Sequence, residues 1–440
     1  MTERTVVIQG GSVVRREGVA RLDVVVEDGT VVALHEHVEP DRGATVLDAG
    51  GCLVGPGLVD LHTHLRQPGR EEAETVETGA RAAALGGYTA VVAMPNTEPP
   101  IDSAEVARDV LALGRSAMAE VAVAGAITVG RAGRSLAPMG ELADLGVCLF
   151  TDDGTGVQDG GLMRRALDYA KSLGVTLAQH CEDDCLARGG TMHEGAWSSR
   201  LGLPGIPAAA EEAMVARDVQ LCRLTGAPVH FLHLSTAGSV EMVRAAKAEG
   251  LPVTAEAAPH HMLLTHAAVA TYDPVFKVNP PLRTDEDVAA VVRGLCDGTI
   301  DAVATDHAPH APEVKDVPFD EAPPGMLGLQ TALPIAWEVL SPHLGPAQIF
   351  ALMSSRPAAI ARLRASDVRP AGHSAHGGPL EPGATANICV FDPSATTVVD
   401  SRQLASRSRN TPYAGRTFAG AVRHTLLRGE PVVVDAAAQR

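Results

Sequence analysis

Gly57-Leu58-Val59-Asp60-Leu61-His62-Thr63-His64 begins as an apolar run and ends in two imidazoles. Residues two apart on a strand point to one face, so His62 and His64 share a side. Seven further short apolar runs follow, and all but 120–129 end in polar residues: 90–96, 120–129, 147–153, 175–180, 228–235, 253–256 and 300–307. Between them lie segments with helical periodicity: 73–85, 104–116, 162–173, 211–225, 239–249 and 286–296. Eight strands alternating with helices over about 250 residues fit a (β/α)8 TIM barrel, an α/β fold. A doubly wound open sheet is the alternative. No GxGxxG follows a first strand, and Gly10-Gly11 reads as a turn, so a dinucleotide fold is disfavoured.

The two ends of the chain read differently. Short β-rich runs at 6–9, 23–27 and 31–34 are broken by Gly10-Gly11 and Asp28-Gly29 turns. Runs at 386–391, 422–427 and 431–434 repeat the pattern. The expected organisation is a barrel over 56–370. Residues 1–55 and 371–440 together make a small β-sandwich domain.

Composition narrows the function. Of 440 residues 45% are hydrophobic, enough for one large domain and a small one. Lys and Arg total 36 against 53 Asp and Glu, a net charge of −17. An acidic chain without a basic run argues against nucleic acid or an anionic membrane as partner. Seven scattered cysteines without CxxC suggest no disulfide framework and a reducing compartment. The start, Met1 to Gln9, has no apolar signal-peptide core, and no long apolar run reads as a membrane span. A soluble cytoplasmic protein is expected.

In a barrel, chemistry gathers where strands end. Those ends carry His62, His64, Asn96, Asp152, Asp153, His180, His233, Glu256, Asp306 and His307. Imidazole and carboxylate are the ligands zinc and its neighbours prefer. Four histidines in phase are hard to explain as packing residues. His230, three residues before His233, is expected to face a helix instead. His260 and His261 lie past the seventh strand and are weaker candidates. Asp306 can bind metal and shuttle a proton; a helix cap is the competing role, but His307 and Pro309 do not look like a helix start. Asp152 and Asp153 point oppositely, so at most one bridges two metals and the other caps the next turn. Cys181 and Cys185, with three residues between them, read as a helix start.

These blocks carry a resemblance. Val59-Asp60-Leu61-His62-Thr63-His64-Leu65-Arg66-Gln67-Pro68-Gly69 resembles the signature of the dihydroorotase family, within the amidohydrolase superfamily. Met94-Pro95-Asn96-Thr97, Phe150-Thr151-Asp152-Asp153-Gly154, His180-Cys181-Glu182-Asp183 and His233-Leu234-Ser235-Thr236 resemble its later blocks. So do Lys277-Val278-Asn279-Pro280-Pro281-Leu282-Arg283, Asp306-His307-Ala308-Pro309-His310 and Ser408-Arg409-Asn410-Thr411-Pro412-Tyr413. The likeness covers nearly the whole chain and is greatest to the long bacterial type I form.

The resemblance implies two zinc ions per subunit, one on His62 and His64, the other on His180 and His233. Hydantoinase, dihydropyrimidinase and allantoinase relatives bridge the metals with a carboxylated lysine. Here Lys171, Lys247, Lys277 and Lys315 are the only lysines, and none ends the fourth strand. That position reads Thr151-Asp152-Asp153-Gly154 instead, which resembles type I dihydroorotases with an aspartate bridge; the expected bridge is Asp153 over Asp152, and the resemblance implies Asp306 as a further ligand and proton carrier. Substrate contacts implied are His64, Arg66, Asn96, Asn279, His310, Pro324 and Gly325. Arg66 also shares the phase of His64 and can grip a carboxylate bidentately. The 310–325 stretch reads either as a lid excluding water or as an ordinary surface loop. The implied reaction is zinc-dependent, reversible cyclisation of N-carbamoyl-L-aspartate to (S)-dihydroorotate. Implied partners are that substrate, a second copy in a homodimer, and aspartate transcarbamoylase. The alternatives are a sister activity on neutral rings or a non-catalytic subunit scaffolding aspartate transcarbamoylase; intact candidate ligands disfavour the last.

Overall fold

The computed structural model describes residues 5–440, so the first four residues of the N-terminal stretch read above lie outside the described residues. Eight short strands follow in order: Leu58–Thr63, Tyr88–Ala93, Glu120–Val123, Leu149–Phe150, Thr176–Gln179, Val229–Phe231, Val253–Ala257 and Ala302–Val303. Successive strands pair parallel. A parallel bridge at Gly125 and Phe150 joins the third to the fourth. Another, between Thr63 and His307, joins the end of the last strand to the first.

Side-chain alternation divides these strands between two cores. Ala90, Val92, Met94, Ala122, Ala124, Ala178, Leu232, Ala302 and Ala304 pack together inside the ring, closed below by Ala358, Ala361 and Leu363. Their neighbours in sequence, among them Val91, Val121, Leu177, Phe231 and Val303, join the larger cluster that includes the helices. The abundance of alanine inside lets the strands approach closely. The six longest helices between them are Val76–Leu85, Ala104–Gly114, Gly160–Leu173, Ala208–Thr225, Ala237–Ala248 and Asp285–Asp297. Thr75, Ser103, Asp159, Thr236 and Thr284 cap the starts of five of them with side-chain oxygens. These starts and stops fall within a few residues of the periodicity reading. Ala332–Leu340 is a further helix, buried nearly all round. It shows no polar stripe, so periodicity does not reveal it.

The chain ends form two sheets. Thr5–Gln9, Asp23–Glu27, Thr30–His35 and Thr45–Asp48 make a four-stranded one. A seven-stranded sheet joins Ser12–Arg15, Gly18–Arg21 and Leu53–Pro56 to Ile388–Val398, Thr417–Leu427, Glu430–Val434 and Ala437–Ala438. N- and C-terminal parts meet where Leu53–Pro56 pairs antiparallel with Ile388–Val398. Val6, Ile8, Val24, Val26, Ile388, Val390 and Leu426 share one core between the sheets. Part of the 371–440 stretch leaves this unit. Around residues 405–413 the chain runs back to the strand-end loops, where the Ser408 hydroxyl donates to Ala73 O at 2.7 Å. Among the described residues no helix is long and apolar enough to cross a membrane.

Candidate metal centre and substrate pocket

The first strand departs from regular register between Asp60 and Thr63. Asp60 holds the chain there: it accepts from Thr305 N at 2.7 Å, Thr305 Oγ1 at 2.6 Å, and the Thr63 hydroxyl. Burial pushes its carboxyl up to about 6 despite these donors. The contact fixes the first strand's end beside the residue preceding Asp306. Arg66 (φ 60°), His233 (φ 29°) and Asp306 (φ 45°) all adopt left-handed backbone. Such conformations cost about 1–3 kcal/mol each for residues with side chains, and they cluster at functional sites.

Asp153 stands at the middle of the imidazoles. Its Oδ1 is 3.4 Å from His62 Nε2, 3.6 Å from His180 Nδ1 and 3.7 Å from His233 Nε2. Its Oδ2 is 3.6 Å from His64 Nε2. Two buried ligand triads result, His62–His64–Asp153 and Asp153–His180–His233, each with ligand atoms within 4.8 Å of one another. His180 Nδ1 and His233 Nε2 approach to 2.9 Å. His62 Nε2, His180 Nε2 and His233 Nδ1 are buried without a hydrogen-bond partner. Of these, His62 Nε2 is the one that faces Asp153; an orphaned buried nitrogen is costly, and this set of imidazoles and carboxylate suits a borderline divalent ion. The residues therefore fit a metal pair sharing one carboxylate.

The surrounding groups aim the ligands. Glu256 Oε1 lies 2.9 Å from His62 Nδ1, and Asn96 Oδ1 lies 2.8 Å from His64 Nδ1. With Nδ1 engaged, each ring turns Nε2 toward Asp153, as outer partners of metal-bound histidines do. Asn96 Nδ2 also donates to Asp153 Oδ2 at 3.2 Å. Burial opposes charge throughout; at His64 burial, with Arg66 close by, wins and lowers its pKa, whereas at the following groups mutual attraction wins. His62 is raised well above its ordinary pKa by Asp153, Glu256 and Asp306. Asp153 is held well below the carboxylate range by His62, His180 and His233. Asp306 is likewise lowered by His64 and His62; its Oδ1 lies 3.2 and 3.6 Å from their Nε2 atoms.

Asp152 points away from the metal centre. It accepts from Ile127 N at 2.9 Å, Thr128 N at 3.0 Å and the Thr128 hydroxyl, so it fixes the neighbouring loop. Of the two aspartates only Asp153 reaches the triads. Cys181 is buried and Cys185 exposed, with Asp183 capping the short helix Asp184–Ala187 and neither thiol in a triad. The four lysines are engaged elsewhere: Lys171 with Thr225 O, Lys247 with Asp301, Lys277 with Asp320 O, and Lys315 with Pro323 O.

A cavity of about 180 Å³ opens onto this centre. His64, Asp153, His180, His233 and Asp306 line its floor side; Arg66, Asn96, Asn279, His310, Pro324 and Gly325 stand in the wall, with Gly154, Ala308 and Pro323. Arg66 Nε donates to Pro309 O at 3.0 Å, which leaves its terminal nitrogens for a ligand. Asn279 Nδ2 donates to Glu182 at 3.2 Å, and its Oδ1 has no partner. His310 Nε2 donates to Pro324 O at 2.8 Å. Burial, with Arg66 and Lys315 close by, pushes His310 down to about 3, so it is neutral. Gly325 has φ 142°, and a Cβ there would sit 2.8 Å from both Ala308 Cβ and His310 Nε2. Only glycine fits that turn of the wall.

One expectation changes. His230 does not face a helix: Nε2 lies 3.0 Å from Glu256 Oε2 and Nδ1 2.8 Å from Thr254 Oγ1, inside the ring. Counting back from His233 misleads because the Val229–Phe231 strand ends first and His233 turns left-handed. Counting Glu256 and Thr254 forward on the next strand would have found the partner. His260 and His261 are buried behind the wall. His261 Nε2 donates to Pro280 O at 3.0 Å, and neither lines the cavity.

Comparison with known proteins agrees with this arrangement. Residues 51–239 match the family model for dihydro-orotase-like proteins. Dihydroorotase of Pelotomaculum thermopropionicum is 49% identical over 97% of this chain and 98% of its own. The dihydroorotases of Streptomyces coelicolor and Mycobacterium tuberculosis are also 49% identical, each over 94% of this chain and 95% of theirs. In solved structures the fold resembles L-hydantoinase of Arthrobacter aurescens, with TM-score 0.86 and 24% identity over 99% of this chain and 97% of that one. A D-hydantoinase gives 0.83 at 23% identity, over 98% and 96%. The hydantoinases share the fold, whereas full-length identity near one half places relationship, and the chain belongs to the dihydroorotase family.

Proposed function

We propose that the chain interconverts N-carbamoyl-L-aspartate and (S)-dihydroorotate in pyrimidine biosynthesis. The parallel strand ring is read as a (β/α)8 barrel over 56–370, with a small β-sandwich domain drawn from 1–55 and 371–440. One observation carries the reading: an arginine shares a 180 Å³ cavity with two ligand triads joined through Asp153. A cyclic amide that keeps a free carboxylate needs both halves of that pocket.

Two zinc ions are the proposed cofactor: His62, His64 and Asp153 would hold one and Asp153, His180 and His233 the other, with Asp306 beside the first set. Bound there, zinc supplies Lewis acidity toward a ring carbonyl and lowers the pKa of nearby water. The remaining steps fall to the chain. Asp306, kept ionised, takes the proton of the attacking water. Cleavage of the bond between ring nitrogen and carbonyl carbon then needs a proton on the leaving nitrogen, and Asp306 returns it there. In the cyclisation direction the carbamoyl nitrogen gives its proton to Asp306 as the N–C bond forms; Asp306 passes it to the departing carboxyl oxygen, which takes a second proton from solvent and leaves as water. Arg66 holds the carboxylate that does not react. Asn279 Oδ1, lacking a partner, suits a ring N–H. Asn96 holds His64 and Asp153 in place as well as lining the pocket.

The seven cysteines are all unpaired, which fits a reducing cytoplasm. Dimerisation and association with aspartate transcarbamoylase rest on the family resemblance alone.

The test is dihydroorotate hydrolysis and carbamoyl-aspartate cyclisation by the purified chain, with zinc counted on the same sample. Turnover lost on chelation and restored by zinc is expected. Zinc-loaded protein that opens hydantoin or dihydrouracil but not dihydroorotate would overturn the substrate assignment.

A further inference from the structure

Asn410 lies 348 residues from His62 in sequence (410 − 62) and outside the cavity lining, yet it governs part of the cavity wall. Its side chain is 7% exposed and has every polar atom engaged. Nδ2 donates to Ala308 O at 3.0 Å and to Gly325 O at 3.1 Å. Oδ1 accepts from His310 N at 3.2 Å. The main-chain oxygen accepts from Leu327 N at 3.0 Å. Residues 308 and 310 enter the loop that bears His310, Pro324 and Gly325; residues 325 and 327 leave it. One asparagine thus closes the loop's neck from both sides.

The chain around Asn410 is anchored in turn. The Ser408 hydroxyl donates to Ala73 O, and Arg407 N donates to Glu74. Glu74 lies 3.3 Å from His307 Nε2. Ala405 N donates to Gln330 at 2.7 Å. Residues 405–410 therefore lace the loop after the first strand to the loop after the eighth. Arg66 sits on one of these loops and His310 on the other, and Arg66 Nε reaches Pro309 O within the second. The spacing between the two sides of the pocket depends on this lacing. The middle of the second loop has its own tie, Lys315 Nζ, which donates to Pro274 O at 2.9 Å and Pro323 O at 2.8 Å.

We propose that Asn410 is a positioning residue for substrate recognition: by donating to Ala308 O and Gly325 O it sets the distance between the His310 side of the pocket and Arg66. This rests on the reading of that cavity as the dihydroorotate site. Asn410 touches no reacting atom, so its loss weakens binding of substrate and transition state alike, which raises KM and spares kcat. Asparagine is required because the neck presents two acceptors and one donor. Aspartate has the same shape but cannot donate, and it would set its charge against two carbonyl oxygens.

The experiment compares the zinc-loaded enzyme with Asn410→Ala, Asn410→Asp and His310→Ala, reading KM and kcat for dihydroorotate, zinc content and Tm. Asn410→Ala is expected to raise KM about tenfold, the scale of one or two lost hydrogen bonds, with kcat within about twofold. Asn410→Asp is expected to be no better than Ala; full rescue by Asp would mean the residue only fills space and would overturn the proposal. His310→Ala with raised KM but Asn410→Ala without it overturns the proposal and leaves the site reading standing. No effect of His310→Ala on KM removes the site reading and the proposal with it. If the Asn410 variants do not fold, hydrogen exchange on the unmodified enzyme decides. The His310 and Leu327 amides are expected to be protected, and exchange as fast as at exposed Glu313 would overturn the clamp.

Discussion

Glu256 Oε1 lies 2.9 Å from His62 Nδ1, and both residues are shut off from water. The same carboxylate meets His230 at 3.0 Å through its other oxygen. These two donors overcome burial and hold Glu256 at about 2, so it is an anion at any working pH. An anion on Nδ1 fixes the proton there and leaves the Nε2 lone pair for the metal. Glu256→Gln removes the charge and can present its N–H to the ring, which favours the wrong tautomer. Zinc affinity is expected to fall about 10–100-fold, as when other outer partners are lost. Competition against a chromogenic chelator measures it. Unchanged affinity would mean that Glu256 serves the ring's packing and not the metal.

Asp306 makes a different demand. Asp306→Asn keeps the shape but can neither accept nor return a proton, while both triads stay intact. A fall in kcat of about 10²–10⁴ is expected, with zinc retained. Zinc lost along with activity would show that Asp306 acts chiefly as a ligand.

Arg66 is fixed by one bond to Pro309 O and offers the rest of its fork to the pocket. Arg66→Lys keeps the charge but loses the paired geometry. Hydrogen bonds to charged groups are worth about 1.5–3 kcal/mol, so KM for dihydroorotate should rise about 10–100-fold. Ring opening of a neutral hydantoin, which has no carboxylate to hold, should change little. Equal losses on both substrates would place Arg66 in the catalytic step instead.

The sequence made the imidazole ring legible because strand ends repeat at regular intervals and side chains alternate along them. His62, His64, His180 and His233 follow from that alone. Period-two counting holds only while the strand lasts, and counting back from His233 misplaces His230 because the strand stops at Phe231. Asp152 and Asp153 could not be separated from spacing, since neighbours differ by which side the chain turns; the donors at Ile127 and Thr128 decide it. Asn410 was visible as part of a motif but had no readable role. Its partners at 308, 310, 325 and 327 are distant in sequence, and no periodicity links them.

Glu120 gives the last prediction, and it concerns stability. It begins the third ring strand and is 5% exposed. It accepts from Ser374 N at 2.9 Å, Ser374 Oγ at 2.8 Å and His376 Nε2 at 2.9 Å, so it ties the ring to the segment leading into the C-terminal strands. Burial would raise its pKa, but the His376 and Ser374 donors lower it from 4.5 to about 2. A carboxyl depressed on folding stabilises the fold above its unfolded pKa, and the contribution disappears as pH falls through the folded one. Glu120→Gln is therefore expected to cost on the order of 3 kcal/mol at neutral pH. Urea unfolding of the two proteins side by side should show a constant gap down to about pH 4.5, shrinking from there toward pH 2. A gap of the same size at pH 7 and pH 3 would trace the loss to packing and not to the ionised carboxylate.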